Sequence, residues 1–298
     1  MKKSYLTNLI LIALIIGLYW LNTYDNSAVS ELPQISTLNS SNIHNITISR
    51  SDTSDIVLEK SASGWQIIKP IKAIANNIRV ELLLSFLNTP SYAQIAVGTK
   101  DSLAQFELNP ANLILTLDQL KVKFGGIEPI SKHRYVLIDN VIHLITDRIT
   151  PLLRANAASF IENKLIPLDN IITKLSLPLL NADSSLSAET IIIENTNGLW
   201  HSNLPTLKTD RVTALVENWQ HAYALQASPI KGDVQITTAV HKVQVWFNNQ
   251  TLPAEYDLKL NDNALFIIDY QQQLRYQFTL ASLVQLLPSQ TIAQPIKQ

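Results

Sequence analysis

The chain has 298 residues, 46% of them hydrophobic and 16% charged, with a formal net charge of -1 and no cysteine. That composition suits a globular chain with more than one core and lies far from the disordered class. It excludes disulfides, thiol catalysis, iron–sulfur clusters, cysteine zinc sites and a lipoprotein anchor, and it leaves no global field to draw in nucleic acid.

The first predicted element lies in MKKSYLTNLILIALIIGLYWLN. Lys2 and Lys3 precede a stretch without charge that is bounded by Tyr5 and Leu21, and Tyr19 and Trp20 stand where an aromatic belt would lie. As a helix the stretch would rise about 25 Å, within tolerance of a bilayer core. A transmembrane anchor over 1–22 is therefore expected. Its lysines would be cytoplasmic and the bulk of the chain periplasmic, as a single-pass protein of a bacterial inner membrane in contact with the lipid bilayer. A cleaved signal peptide is the competing reading; Ala28-Val29-Ser30 offers a small-x-small site, well beyond the apolar run. Residues 23–42 have the composition of a tether.

Strands are predicted at 43–49, where Ile46 and Ile48 share a face, at 56–59, and at 64–68, which carries Trp65 and is stopped by Pro70. Asn76 and Asn77 are good helix caps, and Val80, Leu83, Leu84 and Leu87 follow as an apolar stripe. Further strands are expected at 113–117, 121–124, 134–138 and 141–145, with Gly125-Gly126 as a turn. Thr150-Pro151 opens a short helix.

The same order then recurs: a strand at 190–194, turn chemistry, Trp200 in 199–202, Pro205, Asp210 as a cap, and the stripe Val212, Leu215, Val216, Trp219. Arg79 and Arg211 each precede the first stripe residue. Strands at 234–238, 243–247, 256–260, 265–270 and 274–279 and a last helix stopped by Pro288 complete the second unit. The agreement predicts an internal duplication. The expected fold is α+β: the transmembrane helix, then two related lobes of antiparallel sheet with packed helices. The lobes are assigned to 43–176 and 188–288, joined by a linker over 177–187, with a tail at 289–298.

Several residues together carry a resemblance: Gly64-Trp65, Pro70, the Asn-x-Arg-Val helix start, Leu103-x-x-Phe106-x-Leu108-x-Pro110, Phe124-Gly125-Gly126, Arg134-Tyr135-Val136 and Phe160-x-x-x-Lys164-Leu165. The pattern resembles the bacterial membrane-anchored family catalogued as domain of unknown function 4340, over about 43–165 and loosely in the second unit. Glu107 departs from it, where Gly is expected before the leucine. The resemblance implies an envelope protein, with some relatives tied to gliding-type or transporter-associated components, and it implies no catalytic residues.

No two of the six histidines have a metal-ligand spacing, and no nucleophile elbow or paired catalytic carboxylates stand out. No catalytic, cofactor or metal residue is assigned. Trp65 and Trp200 are read as anchors of sheet against helix, although either could stack on a ligand. Arg79 and Arg211 open helices against the dipole preference, which makes them the candidate partner-binding residues. Lys132, His133 and Arg134 form a basic cluster too short for nucleic acid, read as a solvated hairpin. The function expected is a non-catalytic interaction or accessory subunit of an envelope complex. The alternative is an envelope enzyme, or a carbohydrate- or peptidoglycan-binding module, using a cleft between the lobes.

Overall fold

The computed structural model describes residues 2–25, 32–98, 103–230 and 241–289. Two antiparallel sheets dominate. The first contains β1 (Asn45–Arg50), β2 (Thr53–Ser61), β3 (Gly64–Lys69), β4 (Ala73–Ile74), β5 (Ala93–Ala96), β6 (Leu113–Leu117), β7 (Leu120–Ile127), β8 (Arg134–Ile138) and β9 (Val141–Ile145). The second contains β10 (Ile172–Leu180), β11 (Leu186–Thr196), β12 (Leu199–Ser202), β13 (Gln226–Pro229), β14 (His241–Phe247), β15 (Ala254–Leu260), β16 (Ala264–Asp269) and β17 (Leu274–Thr279). The helices are few: α1 (Lys2–Asp25), α2 (Asn77–Leu84), α3 (Thr150–Leu153), α4 (Thr209–Gln220) and α5 (Ser282–Leu286). The α+β reading is thus corrected to a mainly antiparallel β architecture.

Period-two burial explains the strands. In β6 the buried residues are Leu113, Leu115 and Leu117; in β14 they are Val243, Val245 and Phe247. The strand orders are β4-β3-β2-β1-β6-β7-β8-β9-β5 and β12-β11-β10-β14-β15-β16-β17-β13. With β4 set aside they are the same order. In each sheet a three-stranded meander is flanked by a four-stranded one, and the strand that follows the main helix crosses to the far edge. β10 occupies the place of β1. The start of the segment read as a linker, including Leu177, Leu179 and Leu180, is therefore buried in a central strand.

The transmembrane expectation is overturned: no helix among the described residues is long and apolar enough to cross a membrane. α1 is a 24-residue helix, but its uninterrupted apolar run, 9–21, is closed by Asn8 and Asn22. That run rises about 20 Å against a hydrocarbon core of about 30 Å. The single-pass inner-membrane location, the periplasmic placement of the bulk and the bilayer contact expected through Lys2, Lys3, Tyr5, Tyr19, Trp20 and Leu21 fall with it. Tyr5, Tyr19 and Trp20 are exposed on α1, and the side chains of Lys2, Lys3 and Leu21 lie outside the described residues. So do the strand expected at 234–238 and most of the tail.

Part of the expected tether is built into the fold. Ile35 is buried and donates its N–H to Thr89 O at 3.0 Å, and Ser91 N–H donates to Pro33 O at 2.8 Å. A strap, 160–165, stitches the two sheets together. Asn76 N–H donates to Phe160 O (2.7 Å) and Glu162 N–H to Ile74 O (2.9 Å) on one side. On the other, Leu165 N–H donates to Ala222 O (3.0 Å) and Ala224 N–H to Asn163 O (2.9 Å). Buried apolar residues of both sheets belong to one continuous core.

α2 starts where Asn76 accepts the Arg79 N–H at 3.1 Å, and it buries Val80, Leu83 and Leu84. α4 begins one residue before the expected cap: Asp210 lies in its first turn, favourable to the dipole, and Lys208 holds the cap position without a side-chain bond. Its buried stripe is Val212, Leu215, Val216 and Trp219.

Candidate functional site

Sheet one is packed on both faces. On the face away from the main core, Leu108, Leu137 and Ile142 form a small separate cluster with Leu103, Phe106 and Tyr135 against it. This cluster pins the turn 103–108, closed by Leu108 N–H to Leu103 O at 3.0 Å. The turn seats directly on β7, since a β-carbon at Gly125 would stand 2.2 Å from Phe106 O. Gly125-Gly126 are thus strand residues at a register shift between Phe124 and Ile127, and the expected turn there is corrected. What they provide is close approach of another backbone.

A groove of about 470 Å³ opens beside this turn, lined by Glu107, Gly126, Ile127, Arg134, Thr150, Pro151 and Arg154. Arg134 is held rigidly: Nε donates to Asp147 Oδ2 at 2.5 Å and Nη1 to Gly125 O at 2.5 Å, with the two side chains only 12% and 14% exposed. Asp147 Oδ1 accepts the N–H groups of Thr150 (3.0 Å) and Ile149 (3.2 Å). Burial alone would raise the Asp147 pKa; the Thr150 N–H and Arg134 outweigh it and hold the carboxyl below its ordinary value. Arg50 Nη1 donates to Ala155 O (2.6 Å) and Arg154 O (3.2 Å), which fixes the backbone carrying Arg154. Glu107 and Arg154 are both exposed, and neither side chain forms a hydrogen bond or ion pair with a described residue.

The residues singled out from the sequence fall elsewhere. Trp65 is 8% exposed on β3, and Trp200, at the matching place on β12, is half-buried against the core. The Arg79 guanidinium is exposed and bonds to no described residue. Arg211 is consumed structurally: Nη2 donates to Val284 O and, at 3.4 Å, to Leu287 O. Asn218 Nδ2 to Gln285 O (2.8 Å) and Trp219 Nε1 to Leu286 O (2.7 Å) complete a set in which α4 satisfies the terminal carbonyls of α5. A cation at that end of α5 complements its dipole, which resolves the conflict that had marked Arg211. No hydrogen bond or ion pair among the described residues links Arg79 to Arg211.

No family model, no curated protein and no solved structure matches this chain. The resemblance noted above rests on its quoted residues alone. Among the described residues no three metal-binding side chains cluster. Among the described residues, a pocket at the seam between the sheets, beside Glu162, Lys164 and Tyr276, holds about 10 Å³, too little for a sugar ring.

The groove was missed in the sequence because its parts are scattered. Arg134 was seen as one member of a basic hairpin and Glu107 as a departure from a pattern. Asp147 gave no signal beyond its place two residues past Ile145, the register partner of Arg134.

Proposed function

We propose that this chain is a non-catalytic interaction subunit that enters a larger protein assembly through α1. One observation supports the reading: from Ile10 to Leu18 every large apolar side chain of α1 is 54–60% exposed, on all sides of the helix. A helix that is apolar all round is stable in water only when covered, and a run of this length reads as a helix buried in protein. The run carries no charge, so its partner surface is itself apolar and association is driven by burial rather than steering. The two sheets would then form the body that the helix tethers to the assembly.

The test uses the full chain in native extract. A photo-crosslinker at Leu14 is expected to capture one protein in stoichiometric yield, and Ile15→Asp is expected to release the chain to monomer size with its fold intact. A monomer-sized chain before any substitution overturns the reading. So does binding to protein-free lipid vesicles that Ile15→Asp abolishes.

A further inference from the structure

Glu107 is one of eight described non-glycine residues held at positive φ. The turn 103–108 requires a left-handed residue, and Glu107 takes φ +58°. Glycine adopts that conformation without strain, whereas a residue with a β-carbon does not. Strained positions of this kind concentrate where a side chain is used. The Glu107 carboxylate is laid over Gly126: a β-carbon there would stand 3.2 Å from Oε1. It therefore forms one wall of the groove, with no cation among the described residues bonded to it.

The Arg154 guanidinium lines the same groove, equally without a partner among the described residues. Arg134 adds little net charge, because Asp147 is bonded behind it. Ile127 and Pro151 supply an apolar floor, Ile127 being 54% exposed. Among the described residues the groove thus offers one free anion and one free cation across aliphatic surface, within a volume suited to a small ligand.

We propose that this groove binds a dipolar ligand in which an aliphatic stem joins a carboxylate to an amine, as in the C-terminal lysine of a peptide. The carboxylate pairs with Arg154, where the planar fork suits it. The ammonium pairs with Glu107, and the stem lies on Ile127 and Pro151. This binding is independent of the assembly role assigned to α1.

The probe is Nα-acetyl-L-lysine, titrated into the full chain while the amide resonances of Gly126 and Ile127 are followed. The expected result is saturable shifts at those amides, with a millimolar dissociation constant. The C-terminal amide of the probe, which lacks the carboxylate, and Nα,Nε-diacetyl-L-lysine, which lacks the ammonium, are each expected to bind at least tenfold more weakly. Arg154→Gln, an exposed substitution, should weaken the probe by a similar factor. Glu107→Gly should do the same while raising the denaturation midpoint, because glycine relieves the left-handed strain. Absence of shifts at Gly126 and Ile127 overturns the proposal, as does equal binding of the blocked probes. Unchanged affinity in Glu107→Gly, with its turn shown intact by the raised midpoint, also overturns it.

Discussion

Trp219 of α4 donates its indole N–H to the carbonyl of Leu286 at the end of α5, 2.7 Å away and fully buried. The largest fully buried side chain in the molecule thus also closes a helix terminus. Trp219→Phe keeps most of the packing but leaves that carbonyl without its donor, and should cost about 1–3 kcal/mol. Trp219→Ala adds a cavity and should cost about 3–5 kcal/mol or more. Urea unfolding curves of the two variants separate the terms.

Arg79 and Arg211 occupy matching places after the third strand of each meander, yet only Arg211 bonds to another helix. Arg211→Ala is expected to lose about 1.5–3 kcal/mol, the range for charged hydrogen bonds. Arg79→Ala is expected to stay within about 0.5 kcal/mol of wild type. Equal losses in chemical denaturation would show that the α4–α5 contact contributes little.

Asp147 carries a pH signature. Its carboxyl is more acidic folded than unfolded, so the stability it contributes is present above the unfolded value of about 3.9 and lost as pH falls through the lower folded value. Asp147→Asn should lose about 2–3 kcal/mol at neutral pH by breaking the Arg134 pair. It should also flatten the acid limb of a melting-temperature profile below about pH 4.

His143 acts at higher pH. It is buried, with Nδ1 3.0 Å from Ser91 Oγ, and burial pushes its pKa down. The unfolded chain therefore takes up the proton first. Stability should be flat above about pH 6.5 and decline as pH falls from there towards the depressed folded value. His143→Gln should remove that decline; thermal melts between pH 5 and 8 measure it.

Gly125→Ala places a methyl group against the Phe106 carbonyl, a contact that backbone must move to relieve. The expected loss is about 1–3 kcal/mol. Amide exchange should accelerate first at Leu108, whose N–H closes the turn.

What could be read from the sequence was periodic and local. The alternation at Leu113, Leu115 and Leu117 and the stripe from Val212 to Trp219 follow from side-chain spacing alone. The parts that escaped depend on contacts remote in sequence. Ile35 is buried because the chain returns at Thr89. Arg211 loses its freedom to carbonyls more than 70 residues away, and Arg134 is drawn out of solvent by a carboxylate across a hairpin. The misreading of α1 has a different cause. Freedom from charge over 5–21 suggested a span, but Asn8 and Asn22 limit the uninterrupted apolar run, and that run sets what such a helix can traverse.

Two sheets with one strand order in a single chain present each edge strand with a second vacancy like its own. β5 closes against β9 and β13 against β17. During folding each could add to the other's sheet, exchanging halves within one molecule or between two. Divergence between the copies stands against the exchange: β13 ends in Pro229, which has no N–H to offer a ladder, while β5 is Ala-Gln-Ile-Ala and carries no proline. The dissimilarity of the two halves is therefore part of what specifies the native connectivity, and a chain whose halves were made alike would be expected to tangle into swapped oligomers.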